Sequence, residues 1–344
     1  MTELVATTPG LYPLPDPAKE ELADLKGHQK HDLVDGDEDE ALATAYADVR
    51  EELVTAQHDA GLDRVVEGQA RWDDMLAHPL AVHDAVETRG IVRYYDNNNF
   101  YRDPVVTGAL TPDGDVAAEL RAAASLTDDL QAVLPGPYSL ADLATDEHYG
   151  DAAEFLDAVA EFLEAEAAQF PDVETLFLLE PSLVANPPDD EAEGSPAGAG
   201  PERASEAIDL VAGALDADVV VHTYWGAMDE LVYAHLLDAD LDGVGYDLVS
   251  APQRSAYLAG EYGAPDDVAL GVVDGQNTLV ESAETVRERA AWFDERTAAI
   301  DYDRVYVTAN TELFYLPVNR FEEKLAALGA ATDEPLAEAG GVDA

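Results

Sequence analysis

Asp218-Val219-Val220-Val221-His222-Thr223-Tyr224-Trp225-Gly226 runs from a β-rich stretch into a polar and aromatic cluster. A helical pattern follows it. Such a stretch reads as the carboxyl end of a buried strand in an α/β protein, the end at which these folds build their sites. The same grammar recurs: Glu180-Pro181 ends the run 175–179, Asp247 ends 243–246 and Asp274-Gly275 ends 268–273. One tip with a histidine decides little, but four tips carrying His or a carboxylate imply a common rim.

Working outward, eight or nine strand patterns can be counted, most of them separated by helical spacing, as over 40–60, 152–170 and 283–296. Gly61 suits the C-cap of the first of these helices. This alternation predicts an α/β fold, a single (β/α)8 TIM-type barrel over 1–330, with a polar, frayed tail over 331–344. A doubly wound sheet is the alternative. Its nucleotide-binding versions lose support because no G-x-G-x-x-G follows the first strand and no phosphate loop occurs. Residues 63–68 read as one strand. The aromatic and asparagine-rich stretch 91–101 predicts an extra β-hairpin over one end of the core. A short helix is expected over 20–26, and the Pro-, Gly- and Asp-rich segment 186–201 reads as a disordered surface insertion.

Composition narrows the function classes. The chain has 344 residues, with 73 acidic against 18 basic side chains and a formal charge of -55, yet 47% of its residues are hydrophobic. The acids lie between apolar runs and are not gathered in blocks, so the charge describes a surface and not a disordered tail. Only Lys19, Lys26, Lys30 and Lys324 are lysines. This balance suits a halophilic, cytoplasmic acidic protein whose self-repulsion is screened by salt. It disfavours nucleic acid and anionic membranes as partners. No apolar run approaches the ~20 residues of a membrane span, and Glu3 stands where a secretory signal would carry positive charge. With no cysteine, disulfides, thiolate nucleophiles and Cys-based metal sites are excluded.

In a closed barrel all strand tips open to one face, so Gln69, Glu180, His222, Tyr224, Asp247, Asp274 and Asn310 would converge there. A histidine with two or three carboxylates is able to hold a divalent metal or to act as general acid and base on a small molecule. For any one of them, helix capping or pairing with arginine is the commoner role. His28 and His31 read as solvated, and His58, His78, His83, His148 and His235 as surface or helix-end residues. No G-x-S-x-G elbow or H-E-x-x-H pair occurs.

A further set of motifs occurs in order. It comprises Thr7-Thr8-Pro9-Gly10-Leu11-Tyr12-Pro13, Gln57-x-x-Ala60-Gly61-Leu62-Asp63, the segment from Gly68-Gln69 to Asp74-Met75, Leu134-Pro-Gly-Pro-Tyr-Ser-Leu140 and Glu180-Pro181-x-Leu183. Thr223-Tyr224-Trp225-Gly226, Gly245-Tyr246-Asp247-Leu248-Val249, Asp274-Gly275-Gln276-Asn277 and Leu313-x-x-Leu316-Pro317-Val318 follow. Together these resemble the cobalamin-independent methionine synthases over nearly the whole chain. The resemblance implies a barrel that serves methyl transfer from a methylated folate to homocysteine. In that family a zinc ion held by His, two Cys and Glu turns the homocysteine thiol into a thiolate.

Here the positions answering to the family's His-x-Cys pair are Tyr224 and Gly226, and the later Cys position is Thr311, so the resemblance implies no family zinc site. The family's amino-acid-binding positions are altered too: Leu11 replaces Ser, Gln69 replaces an acid and Leu179 replaces Asp. The likeness is to the zinc-free amino-terminal barrel of the two-barrel enzymes, which helps to hold the folate. It implies a barrel working beside a separate zinc-bearing homologous subunit, with methylated folate or methylcobalamin as donor. The implied pocket is Gln69, Glu180, His222, Tyr224, Trp225, Asp247, Asp274, Gln276, Asn277 and Asn310, with Arg93 and Arg102 meeting an anionic donor tail. An independent barrel enzyme and a non-catalytic binding or scaffold protein are the alternatives.

Overall fold

A computed structural model describes residues 3–16, 18–19, 40–72, 74, 76–95, 101–189 and 200–333. Seven strands form one wholly parallel sheet: β1 (Glu3–Ala6), β4 (Gln131–Pro135), β6 (Thr175–Leu179), β7 (Asp218–His222), β8 (Gly243–Asp247), β9 (Asp267–Val273) and β10 (Arg304–Ala309). Their order is β1-β10-β9-β8-β7-β6-β4. Strands β4, β6, β8 and β9 are buried at every position. This is why they read as continuous apolar runs: helices cover a parallel sheet and leave no solvated face.

Around the sheet lie α1 (Glu40–Ala60), α5 (Ala152–Ala167), α7 (Pro201–Ala212), α8 (Glu230–Leu236), α9 (Pro252–Tyr262), α10 (Ala283–Arg296) and α11 (Val318–Thr332). Two of these helices show how the local sequence sets their starts. Asp151 accepts from the backbone N–H of Ala153 and Glu154 at the start of α5, and Ser282 accepts from Thr285 N–H at the start of α10. Helix α5 then buries Phe155, Leu156, Val159, Phe162 and Leu163. The predicted bounds of α1 and α10 are met, and Gly61 turns α1 off with φ 77°. The closing helix α11 runs 15 residues, longer than its apolar core suggested.

The sheet is curled, and its two edges are linked. Thr7 Oγ1 donates to Gln131 Oε1 at 2.7 Å, and Gln131 Nε2 donates to Thr8 O at 2.8 Å. Asp63 and Arg64 N–H donate to Ala6 O at the end of β1, while Val65 N–H donates to Asp129 O and Val65 O accepts from Gln131 N–H. The segment 63–68 therefore lies between the edges but makes one bridge, Val65 to Leu130, and is not a named strand. The Gln57 side chain takes the backbone groups of Val66, whose N–H donates to Gln57 Oε1 at 2.9 Å and whose O accepts from Gln57 Nε2 at 2.8 Å, so they are not free for a ladder. What forms is a seven-stranded curled sheet where eight strands were expected.

The expected hairpin is present: β2 (Val86–Val92) and β3 (Tyr101–Val106) pair antiparallel, and β5 (Thr145–Asp146) joins β3 in parallel. Arg93 follows β2 and Arg102 lies in β3. The expected helix over 20–26, most of the insertion 186–201 and the tail beyond 333 lie outside the described residues. Among the described residues, no helix is long and apolar enough to cross a membrane.

At the amino ends of the strands, one arginine ties three of them. Arg304 Nη1 meets Asp267 Oδ2 at 3.1 Å and also pairs with Asp218. Arg304 N–H donates to Asp267 Oδ1 at 3.0 Å. Asp267 is 5% exposed, so its carboxylate has little water to fall back on. Arg203, in contrast, pairs with Asp157 where both partners are 40% and 49% exposed. Burial decides the outcome of removing each cation. Arg304→Met is expected to lower the unfolding free energy by about 2–3 kcal/mol, and Arg203→Met by under about 1 kcal/mol. Urea titrations at constant high salt measure both; equal losses would show that the buried tie carries no special weight.

Candidate functional site at the carboxyl ends of the strands

Parallel strands bring His222, Asp247 and the residues after β9 and β10 to one end of the sheet, as the sequence predicts. His222 ends β7, and its ring occupies space that Gly245 of β8 leaves open: a Cβ on Gly245 would lie 2.8 Å from the His222 ring. The ring stacks on Phe177 with centroids 5.8 Å apart and meets Tyr224 edge-on at 5.6 Å. It is fully buried, neither nitrogen has a hydrogen-bond partner, and burial pulls its pKa down to about 4. His222 is therefore neutral at pH 7.

Asp247 ends β8. Its Oδ1 accepts from Val249 N–H, Ser250 N–H and Asn310 Nδ2 at 2.9, 2.8 and 3.1 Å, while its buried Oδ2 has no partner. Burial raises its pKa. Asn310 in turn accepts from Gly275 N–H at 3.0 Å, so one amide ties the tips of β8, β9 and β10. Two residues further lies Glu312, which the sequence reading did not single out. It is 1% exposed, accepts from Gln276 Nε2 at 3.3 Å and keeps Oε2 without a partner; burial raises its pKa to about 7. Its only signal in the sequence is its spacing from Asn310, which puts both on one side of an extended chain. Tyr224 is fully buried with an unpartnered hydroxyl, and its pKa is raised by burial and by the charge of Glu312.

Other expected residues serve the scaffold. Glu180 accepts from Tyr138 N–H, Ser139 N–H and Ser139 Oγ at 3.0, 2.8 and 2.6 Å, with its pKa raised by burial to about 7. Gly136 permits that approach, because a Cβ there would lie 2.2 Å from the Glu180 carboxyl. Gln69 accepts from Leu11 N–H at 2.7 Å. Asp274 accepts from Gln276 and Asn277 N–H at 3.0 and 3.1 Å, shaping a turn on which Gln276 and Asn277 are exposed. Behind this turn Glu281 accepts from Asp274 N–H and pairs with the fully buried Lys324 at 2.6 Å.

A family model described as the catalytic domain of cobalamin-independent synthase matches residues 5–332. The chain belongs to the cobalamin-independent methionine synthase family. The methionine synthase of Saccharolobus islandicus is 23% identical over 287 residues, covering 82% of this chain and 81% of that one. The 5-methyltetrahydropteroyltriglutamate–homocysteine methyltransferase of Ralstonia pickettii is 27% identical over 320 residues, 82% of this chain but 39% of that longer protein. A B12-independent methionine synthase from Shewanella sp., solved with selenomethionine, superposes with a TM-score of 0.73 at 18% identity, over 95% of this chain and 96% of that one. A methyltransferase from Methanosarcina mazei has a TM-score of 0.56 at 12% identity, over 97% and 94% of the two chains. The two structures bear on the fold alone.

By motif likeness, Tyr224, Gly226 and Thr311 answer to the family's zinc ligands. Tyr224 offers a buried phenol, Gly226 has no side chain, and Thr311 Oγ1 donates to Glu312 O at 3.3 Å. Among the described residues no three His, Asp or Glu side chains converge as metal ligands.

The buried carboxyl of Glu312 gives a pH signature. Its ordinary value is 4.5 and its folded value about 7. The folded chain holds this proton more tightly than the unfolded one, so the contribution to stability is full below 4.5 and lost as pH rises through 7. Glu312→Gln removes that dependence. Relative to the parent, the variant is expected to gain about 1–3 kcal/mol of unfolding free energy between about pH 5 and about pH 8. Urea titrations at the two pH values measure it. A difference that stays constant with pH would show that Glu312 does not titrate as a buried group.

Proposed function

We propose that this family member is a zinc-free methyl-transfer barrel that binds or positions the methyl donor beside a separate zinc-bearing catalytic barrel. In this reading the segment 63–68 takes the eighth strand place and completes the barrel. One observation carries the proposal: the family's zinc positions hold Tyr224, Gly226 and Thr311, while the strand ends retain buried polar atoms without partners at His222, Tyr224, Asp247 and Glu312. A barrel that had become a scaffold alone would gain stability by filling or pairing such groups. His222, Tyr224, Trp225, Asp247, Gln276 and Asn310 are assigned to donor contact. A methylated folate or methylcobalamin is the donor by family likeness, with Arg93 and Arg102 on the hairpin side for an anionic tail.

A second reading draws on Glu312 and Glu180. Carboxyls raised to about 7 suit general acid and base work at neutral pH. In that case the chain is an enzyme by itself.

An assay for methionine separates the readings. This chain, a zinc-bearing homologue from the same host, and the two together are supplied with homocysteine and methylated folate or methylcobalamin at high salt. The pair is expected to form methionine and to co-purify, and this chain alone to form none. Methionine from this chain alone favours the second reading. No association, with the homologue fully active by itself, sinks the partner role.

A further inference from the structure

Aromatic faces stand against one another above the ends of β7 and β8. Tyr95, at the root of the hairpin, meets Trp225 with centroids 4.8 Å apart and planes at 57°. Trp225 meets Tyr224 at 5.6 Å and 77°, and Tyr224 meets the neutral ring of His222 at 5.6 Å and 69°. Trp225 is held at φ 59°, a left-handed conformation that a bulky side chain rarely adopts. Backbone strain of this kind persists where the surrounding structure requires the side chain in that place.

Beside these faces lie carboxyls with no cation of their own. Asp247 Oδ2 and Glu312 Oε2 are buried and unpartnered, and among the described residues neither carboxyl is in an ion pair. Two other buried carboxylates have a cation, Glu281 with Lys324 at 2.6 Å and Asp267 with Arg304 at 3.1 Å, while Glu180 and Glu166 are held by backbone N–H groups. The charge of Glu312 reaches Tyr224, which links the acidic and the aromatic sides. An anion entering here would face two carboxyls and no counter-charge. A cation would find what the protein leaves out, with aromatic faces that attract a diffuse positive charge. A hard metal ion needs several oxygen or nitrogen ligands, and no group of three such side chains converges here among the described residues.

We propose that the strand ends bind a small organic cation, a methylated ammonium or sulfonium, seated against Tyr95, Tyr224 and Trp225 and neutralised by Asp247 and Glu312. Its binding is argued from these rings and carboxyls; only its use as the methyl donor rests on the methyl-transfer reading above. The methylated centre spreads its charge over methyl groups that pack on the rings, while the carboxylates supply the opposite charge.

Calorimetric titration of the full chain at constant high sodium chloride, with tetramethylammonium, trimethylsulfonium, ammonium and potassium as probes, tests this. Saturable binding is expected for at least one methylated cation, about tenfold or more tighter than for ammonium or potassium. Tetramethylammonium and trimethylsulfonium distinguish a nitrogen from a sulfur centre. Glu312→Gln and Trp225→Leu are each expected to weaken binding by about tenfold or more, an effect of about 1.4 kcal/mol. Near-ultraviolet circular dichroism and the melting temperature establish that each variant folds, and Tyr95→Leu replaces Trp225→Leu if the latter does not. No saturable binding by the parent, equal affinity for potassium, or unchanged affinity in the folded variants overturns the proposal. Cation binding without methionine formation by this chain and its partner leaves the site standing and removes the methyl-transfer reading. Methyl transfer from a folate with no cation binding does the reverse.

Discussion

The supply of positive charge constrains this molecule throughout. With 73 acidic side chains against 18 basic ones, few cations are available for the interior, and each buried one serves more than one contact. Arg304 holds Asp218 and Asp267 together at the amino ends of the strands. Lys324, fully buried, holds Glu281 and donates to Leu279 O at 2.6 Å. Arg50 and Arg71 share Glu119 beneath the hairpin, where Glu67 and Asp115 also gather. Where no cation reaches, backbone N–H groups take over, as they do for Glu180 and for one oxygen of Asp247. Among the described residues, buried polar atoms without partners at the carboxyl ends of β7, β8 and β10 are those of His222, Tyr224, Asp247 and Glu312, while others lie elsewhere, as at Asp142, Glu166, Thr175 and Tyr302.

The amino end of the sheet is closed by ion pairs and hydrogen bonds between strands, a face on which parallel folds place structural interactions. At the opposite end the loops leave Tyr224, Asp247 and Glu312 buried yet incompletely satisfied. Burial of unpaired polar groups costs stability. Tyr224, Gly226 and Thr311, which answer by motif likeness to the family's zinc ligands, lie in the same region.

Much of the fold is legible in the sequence because its signals are local or periodic. Buried parallel strands appear as unbroken apolar runs, α5 appears as an amphipathic repeat, and Ser282 and Gly61 mark helix ends through hydrogen-bonding and conformational preferences of single residues. The segment 63–68 shows the limit of that reading. Its residues favour a strand, but the Gln57 side chain takes the N–H and C=O of Val66, and one bridge forms. The candidate site is legible in part for a similar reason. Strand tips identify His222, Asp247 and Asn310, whereas Glu312 is one carboxylate among many until β10 carries it inside. Glu180 and Asp274 sit at tips as read and Gln69 follows the segment 63–68, and all three accept from backbone N–H groups.

The sequence by itself determined the α/β class, the absence of thiolate chemistry, the acidic surface and the motifs that resemble the family. These depend on composition, period and short-range order, which a linear chain displays directly. Only the tertiary structure decided which polar groups are satisfied. Whether Asp247, Glu312, His222 and Tyr224 have partners depends on side chains and backbone drawn from several strands and loops. Their electrostatics depend on the water that packing has removed, and neither quantity is written in the order of residues along the chain.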